Sequence, residues 1–316
     1  MTEPSTATPR VRRPQRRPAK VEGVVIKALV RLFAWVPLNV LHRIAAAFAW
    51  CAYRLPNGSR SVIEANLCAA FPDRTVHERA AIAERCFRHT LLLAAETGVL
   101  WHGSRRQWTG LINPTDGYRR LDEWLRGNEG GGPGRLILVP HYGNWELLAL
   151  ILGGYDLTAL YDPPRLMSLE GPIRTARERS GATLVPIDAR GIRALLRALR
   201  SGQPVAVLPD QVPQPNAGVY APFFGRPTLT MTLVHRLITR GPRPPETALV
   251  ATRRRGSRFD VMFEPLDGEQ LAQSDAETCM TTINQAIERL VEVEPSQYQW
   301  NYKRFKRPPE GWEKLY

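Results

Sequence analysis

The pattern of apolar and polar positions divides the chain into three parts. Residues 1–20 are rich in Pro, Thr and Arg and lack hydrophobic periodicity, which predicts a disordered basic tail. Residues 21–55 are predominantly apolar and predict a hydrophobic helical membrane anchor. Residues 56–316 show the periodicities of regular secondary structure and predict one folded domain.

The predicted anchor is interrupted in a way that affects its topology. Its most apolar run extends from Leu32 to Tyr53, and Pro37 and the pair His42 and Arg43 fall inside it. A single crossing with the Arg-rich tail in the cytoplasm would place the following domain on the opposite side. Two in-plane or re-entrant helices broken near Pro37 avoid that consequence. A helical pair that packs into the core is the alternative.

Short apolar runs and helical patterns alternate along the third part of the chain. This alternation predicts an α/β domain in which helices flank a central, mostly parallel or mixed sheet. The predicted strands are Leu136 to Val139, Thr158 to Tyr161, Thr183 to Ile187, Val205 to Leu208, Ala248 to Thr252 and Phe259 to Phe263. The predicted helices cover about 59–70, 76–101, 116–126, 145–152, 190–200 and 275–293.

A histidine and a glutamate stand where the first strand meets a helix. Pro140 disfavours helix before it, Gly143 permits a sharp turn and Asn144 is a good N-cap. His141 therefore lies in the turn, and Glu146 lies in the first helical turn. There the carboxylate could bend back to one imidazole nitrogen and leave the other free to take a proton. The same spacing also allows a strand-end histidine and a glutamate that only favours the helix dipole.

Composition favours anionic partners and excludes few function classes. The net charge is +13, and the basic excess suits an acidic carrier protein, a phosphorylated lipid, an anionic membrane or nucleic acid. Nucleic acid is not expected as a partner, because no zinc-finger spacing or RNA-recognition block is present. The four cysteines are scattered without CxxC pairs, and no metal site is expected.

Several segments resemble those of one enzyme family, the late (secondary) lipid A acyltransferases. These lauroyl and myristoyl transferases belong to the lysophospholipid acyltransferase-like superfamily and carry HxxxxD or HxxxxE after a hydrophobic strand. The chain has HYGNWE at 141–146, followed by RTARERSGATLVPID, RGIRALLRALRSGQPVAVLPDQ, GVYAPFFGRP and PSQYQWNYKRFKRPPEG in the family's order. The resemblance covers roughly residues 130–312 and weakens back to about residue 25.

The resemblance implies a glycerol-phosphate-acyltransferase-like fold and an acyl transfer reaction. Residues 56–316 would form the acyltransferase domain, on the cytoplasmic face of the bacterial inner membrane. His141 and Glu146 would form the general-base dyad. The donor would be an acyl carrier protein (ACP) thioester, with acyl-CoA as the alternative donor. The acceptor would be an anionic glycolipid, a lipid A precursor, and no cofactor is expected. A phosphatidylinositol mannoside acylated from acyl-CoA is one alternative, and a non-catalytic basic membrane-associated or nucleic-acid-binding protein is another.

The resemblance also suggests residues for substrate binding. One arginine of the second block would position the substrate or assist catalysis, and Arg177 is the best match, with Arg179 as its competitor. Asp210 resembles the acid of an Asp-Gln block, but Val212 stands where many relatives have a second Asp. A turn-forming Asp is the alternative there. The full set of substrate-binding candidates is Asn144, Arg174, Arg177, Arg179 and Asp210.

Two further segments leave their role open. The arginines of the helix at 190–200 form a stripe that is either a solvated face or a docking surface for an acidic partner. The aromatic and basic residues near the C-terminus suit a contact with lipid headgroups, and a structural role for the aromatics is the alternative. They are Tyr298, Trp300, Lys303, Arg304, Lys306 and Arg307.

Overall fold

The computed structural model describes residues 20–127, 132–164 and 166–316. The predicted disordered tail lies outside the described residues except for Lys20. The helices are α1 Lys20–Trp35, α2 Leu38–Arg54, α3 Gly58–Ala70, α4 Val76–His102, α5 Arg105–Thr109, α6 Asp116–Arg126, α7 Trp145–Gly153, α8 Glu170–Glu178, α9 Ala189–Arg200, α10 Leu233–Thr239, α11 Gly268–Gln273 and α12 Ala276–Val293. The strands are β1 Arg135–Leu138, β2 Thr158–Tyr161, β3 Thr183–Pro186, β4 Pro204–Val207, β5 Gly218–Phe223, β6 Arg226–Met231, β7 Glu246–Arg255 and β8 Arg258–Leu266.

A six-stranded sheet forms the centre of the domain, in the order β3, β2, β4, β1, β7, β8. The first five of these strands run parallel, and β8 pairs antiparallel to β7 at one edge. The predicted central, mostly parallel or mixed sheet flanked by helices is therefore confirmed. All six predicted strands are present, whereas the separate hairpin of β5 and β6 lies outside them.

Both faces of the sheet are covered, as expected for parallel strands. Successive residues of β1 point to opposite sides, so that Leu136 and Leu138 join one apolar cluster while Ile137 joins another. The first cluster includes side chains of α3, α4 and α12, and the second includes side chains of α6 and α7. The carboxyl ends of the parallel strands form the edge at which the candidate site lies.

The N-terminal helices α1 and α2 pack against α4 and are broken at the predicted point, since α1 ends at Trp35 and α2 begins at Leu38. Leu41 and Ala45 of α2 face the protein, while large apolar side chains of both helices remain exposed. Among these are Val24, Leu32, Trp35, Ile44, Phe48 and Trp50. Within the described part of the chain, no helix combines the length and the apolar character needed to cross a membrane.

Candidate active site

His141 lies in the turn that the sequence predicts between β1 and α7. The Asn144 side chain caps α7 by accepting a hydrogen bond from the Leu147 backbone N–H at 3.1 Å. Gly143 has a φ of +60°, and a Cβ there would lie 1.7 Å from the carbonyl oxygen of Thr252 on β7. Glycine is therefore needed both for its backbone conformation and for the close approach of β7.

Asp210 holds the His141 imidazole. Its Oδ1 lies 2.7 Å from His141 Nδ1, and its Oδ2 accepts a hydrogen bond from the His141 backbone N–H at 2.8 Å. An ionised carboxylate can only accept, so in the neutral ring Nδ1 carries the proton and Nε2 has an unprotonated lone pair. Gln211 Nε2 lies 3.1 Å from His141 Nε2, where the amide can donate to that lone pair. The ring is thus arranged as a base.

The ionised form of Asp210 is favoured although the residue is only 2% exposed. Burial alone would raise its pKa, but the electrostatic interaction with His141 and the hydrogen bonds from its ring and backbone N–H outweigh burial. The pKa therefore lies below its ordinary value of 3.8. Tyr298 also interacts with this carboxylate through a side-chain hydrogen bond. The fully buried Arg304 supplies a further favourable charge.

The prediction that the Glu146 carboxylate contacts the His141 imidazole is wrong, because Asp210 makes that contact in the structure. Glu146 lies in the first turn of α7 as predicted, but its carboxylate accepts two hydrogen bonds from Arg177, at 3.0 Å from Nε and 2.5 Å from the terminal nitrogen. Asp210 takes the place at the ring because β1 and β4 are neighbouring parallel strands. Residues that follow their carboxyl ends therefore meet.

Arg177 is the arginine that the structure brings to this region. Burial would lower its pKa, but the charge and hydrogen bonds of Glu146 outweigh burial and raise it. The guanidinium also lies 5.0 Å from the centroid of the Trp145 ring, and that ring lies 5.3 Å from the His141 ring. Arg174 instead pairs with Glu170 and Glu178 of its own helix. Arg179 donates to the Trp101 carbonyl oxygen.

The coupling between Glu146 and Arg177 can be measured with a double-mutant cycle. Arg177→Gln should lower the free energy of unfolding, because it leaves the largely buried Glu146 carboxylate without its partner. Glu146→Gln in the same chain should restore part of the loss, with a coupling energy of about 0.5–3 kcal/mol. Chemical denaturation of the two single variants and the double variant gives this value. Strictly additive losses would contradict the pairing.

Sequence reasoning did not identify Glu96, which lies at the centre of a buried polar cluster beside the turn. Both of its carboxylate oxygens accept hydrogen bonds from Arg254, and one also contacts His42 Nε2 at 2.8 Å. Asn144 Nδ2 donates to Glu96 Oε2 at 2.7 Å. Glu96 therefore connects α2, β7 and the cap of α7. The signal in the sequence is a single carboxylate within the apolar stretch at 91–100.

The C-terminal aromatic and basic block does not form a surface as a whole. Tyr298, Trp300 and Arg304 are buried, so a headgroup contact is wrong for these three residues, and the alternative of a structural role is confirmed for the two aromatic residues. Arg304 donates to the Leu229 carbonyl oxygen and to Thr230 Oγ1 of β6, which ties the segment to the hairpin. Only Lys303 and Lys306 of this block are exposed.

Comparison with known proteins identifies the family. The sequence profile of the bacterial lipid A biosynthesis acyltransferases matches residues 16–307, which include α1, α2 and every candidate site residue. The chain belongs to this family. Its members transfer acyl groups, so the chain is an acyltransferase of lipid A biosynthesis. The recognition of the family from its sequence blocks is confirmed, and the match extends further toward the N-terminus than those blocks do.

Individual relatives of this family are similar along almost their whole length. The lipid A biosynthesis lauroyltransferase of Escherichia coli (strain K12) is 24% identical over 285 residues, covering 89% of this chain and 90% of the relative. The palmitoleoyltransferase of the same organism is 25% identical over 293 residues, covering 90% and 92%. A lipid A biosynthesis acyltransferase of Haemophilus influenzae (strain ATCC 51907 / DSM 11121 / KW20 / Rd) is 27% identical over 305 residues, covering 92% of each chain.

Proposed function

We propose that this protein transfers a fatty acyl chain from an acyl carrier protein thioester to a hydroxyl of a lipid A precursor. The observation that carries the proposal is the His141 ring, whose Nδ1 is fixed by Asp210 while Nε2 keeps its lone pair. Family membership supports the acceptor, since the similar proteins are lauroyl, palmitoleoyl and myristoyl transferases of lipid A biosynthesis. Acyl-CoA is the alternative donor.

The proposed chemistry is direct transfer with His141 as the general base. Nε2 accepts the proton of the acceptor hydroxyl as its oxygen attacks the thioester carbonyl carbon, and Asp210 stabilises the resulting imidazolium. The tetrahedral intermediate then collapses, the C–S bond breaks and the imidazolium returns its proton to the leaving thiolate. The new ester and the free thiol of the carrier are the products, and no acyl-enzyme forms.

The negative oxygen of the intermediate needs a donor or a positive charge nearby. Arg177 is the candidate, because its guanidinium lies over the Trp145 ring and the Trp145 ring in turn lies beside the His141 ring. Glu146 acts in this scheme by holding Arg177 in place through two hydrogen bonds. The roles of the two carboxylates are therefore distinct, since Asp210 orients the base and Glu146 orients the cation.

The proposed location is the cytoplasmic face of the bacterial inner membrane, with α1 and α2 lying in the plane of the interface. Trp35 is 87% exposed and Phe48 is 62% exposed, which is unfavourable in water and favourable at the boundary of the acyl chains. Arg43 and Arg54 of α2 are exposed as well and can reach the headgroups. The cytoplasmic side follows from the proposed carrier protein donor.

The function is tested by acyl transfer with the purified full chain in lipid vesicles. Acyl carrier protein and CoA thioesters are supplied in turn, with a lipid A precursor or a phosphatidylinositol mannoside as acceptor, and products are identified by mass spectrometry. We expect the lipid A precursor to gain the mass of one acyl group from the carrier protein donor. His141→Ala should abolish the gain, and His77→Ala, a change at an exposed histidine of α4, should preserve it.

Three results would contradict parts of this proposal. Acylation of the mannoside alone would overturn the acceptor, and exclusive use of the CoA thioester would overturn the donor. Near-normal transfer by His141→Ala would overturn the general base.

A further inference from the structure

A cavity of about 330 Å³ lies between α4, the end of β7 and the segment that follows α12. Its lining includes Arg85, Arg88 and His89 of α4 together with Arg254 of β7. His42 of α2 forms part of another wall. None of the residues placed at the proposed active site lines it, so the cavity needs an explanation of its own.

Two guanidinium groups in this cavity have no hydrogen-bond or ion-pair partner within the described part of the chain. Arg85 and Arg88 lie three positions apart on α4, and therefore on one side of the helix. Among the residues that the structure describes, neither forms an ion pair or a hydrogen bond through its side chain, and both are exposed. Such a pair is suited to an anionic ligand, because guanidinium groups bind phosphate oxygens through charge-assisted hydrogen bonds.

The inner wall of the cavity also offers donors in fixed positions. Arg254 is held by Glu96, and its Nε donates to His89 Nδ1 at 3.2 Å. His89 therefore carries its proton on Nε2, which can donate to a ligand. The pKa of His89 is lowered to about 3, by burial first and then by the charges of Arg254, Arg88 and Arg85. The charges of the three arginines thus disfavour a further cation at this position.

One carboxylate at the surface of the cavity opposes an anion. Glu294 is part of the lining, and its Oε1 accepts a hydrogen bond from Ser296 Oγ at 2.7 Å. Glu96 lies beneath the wall and balances the charge of Arg254. The positive charges of Arg85 and Arg88 remain against the single charge of Glu294, so the cavity keeps a positive excess.

The position of the cavity indicates where the anion comes from. His42 is on α2, and the same helix exposes Ile44 and Phe48, which belong to the surface proposed to lie at the membrane. A phosphate carried by a lipid can enter the cavity while its acyl chains remain in that membrane. We propose that this cavity binds the phosphate monoester headgroup of a membrane lipid through Arg85 and Arg88.

The proposal is tested by vesicle binding without an acyl donor, which makes it independent of the proposed reaction. The full chain is sedimented with phosphatidylcholine vesicles that contain phosphatidic acid, a phosphate monoester, or phosphatidylglycerol, a diester, at matched total charge. We expect tighter binding to the phosphatidic acid vesicles. The double variant Arg85→Gln with Arg88→Gln should lose this preference and bind them about tenfold more weakly.

A second double variant separates the cavity from general basicity. Arg193→Gln with Arg197→Gln removes the same charge from exposed positions on α9 and should keep the preference for phosphatidic acid. The proposal would be overturned if both double variants lost the preference for phosphatidic acid equally, or if the unmodified chain showed no such preference. Inorganic phosphate provides the other arm. Binding of inorganic phosphate is first measured without vesicles. If the phosphate concentration that saturates the protein there also abolishes the preference for phosphatidic acid, the site takes soluble phosphate and the lipid source is wrong.

Circular dichroism and thermal unfolding confirm that each double variant is folded before its binding is compared. The substituted side chains are exposed and without partners among the described residues, so we expect unfolding temperatures close to that of the unmodified chain. If Arg85→Gln with Arg88→Gln is folded and retains the phosphatidic acid preference, the assignment of these two arginines is wrong.

Discussion

Asp210→Asn should lower acyl transfer by about 10²–10⁴-fold, the range that general-base catalysis typically contributes. In this variant the new side-chain amide turns its NH₂ group toward His141 Nδ1. Because Nδ1 must then accept a hydrogen bond, the ring proton moves to Nε2. Nε2 is the atom that has to take the proton of the acceptor, so the variant presents the wrong tautomer. The side chain keeps its size, and its oxygen can still accept from the His141 backbone N–H.

Initial rates of acyl transfer measured over a range of pH test this prediction. Asp116→Asn makes the same chemical change at an exposed position on α6 and should leave the rate unchanged. The rates of Asp210→Asn and His141→Ala should be similar, because both remove the same base. A near-normal rate for Asp210→Asn together with a large loss for Glu146→Gln would show that Glu146 is the partner of the imidazole during turnover.

Glu96→Ala should lower the free energy of unfolding by about 3–5 kcal/mol, the cost of removing one partner of a buried ion pair. Glu96 is fully buried, and Arg254 is 6% exposed, so water cannot replace the lost carboxylate at the guanidinium. His42 and Asn144 lose an acceptor in the same variant. Because Asn144 caps α7 three residues after His141, acyl transfer should decline as well.

Chemical denaturation of Glu96→Ala and of a matched variant on the same helix measures this effect. Glu84→Ala removes a half-exposed carboxylate of α4 that lies 3.7 Å from Arg54, and exposed pairs contribute about 0–1 kcal/mol. A loss in Glu96→Ala no greater than that in Glu84→Ala would contradict the structural role of Glu96. The double variant Glu96→Leu with Arg254→Met should recover much of the unfolding free energy that Glu96→Ala loses. Apolar replacements of both partners of a buried ion pair are often neutral.

The stability that Glu96 contributes should depend on pH in the acid range. Burial would raise its pKa, but Arg254 and His42 outweigh burial and hold the pKa below its ordinary value of 4.5. A lowered pKa in the folded state means that the contribution is complete above the ordinary value and is lost as the pH falls through the folded-state value. The difference in unfolding free energy between the unmodified chain and Glu96→Gln should therefore shrink below pH 4.5.

The elements that depend on local pattern could be predicted from the sequence. The turn at His141 follows from Pro140, Gly143 and Asn144, and the structure has the predicted N-cap. The strand predicted at Thr158 to Tyr161 has the observed bounds, because a short apolar run between turns needs no distant information. Amphipathic periodicity likewise located the helix at 190–200.

The parts that depend on distant pairing could not be predicted in the same way. Asp210 and His141 meet because β4 lies beside β1, and nothing in the local sequence of either strand specifies that neighbour. The spacing of His141 and Glu146 suggested a contact, but the helix places the carboxylate toward Arg177 of α8. Tyr298 and Arg304 have the composition of an interfacial segment, yet the Tyr298 hydroxyl and the terminal nitrogens of Arg304 find partners inside the protein.

The two hydrogen bonds from His141 to Asp210 restrict the histidine more than one bond could. One carboxylate binds the main chain and the ring of the same residue, which closes a chelate through the backbone nitrogen, Cα, Cβ and the imidazole. Rotation about χ1 would break the ring contact while the main-chain contact remains, so the imidazole has one favoured orientation. The loss of rotational entropy then occurs during folding, before any substrate arrives.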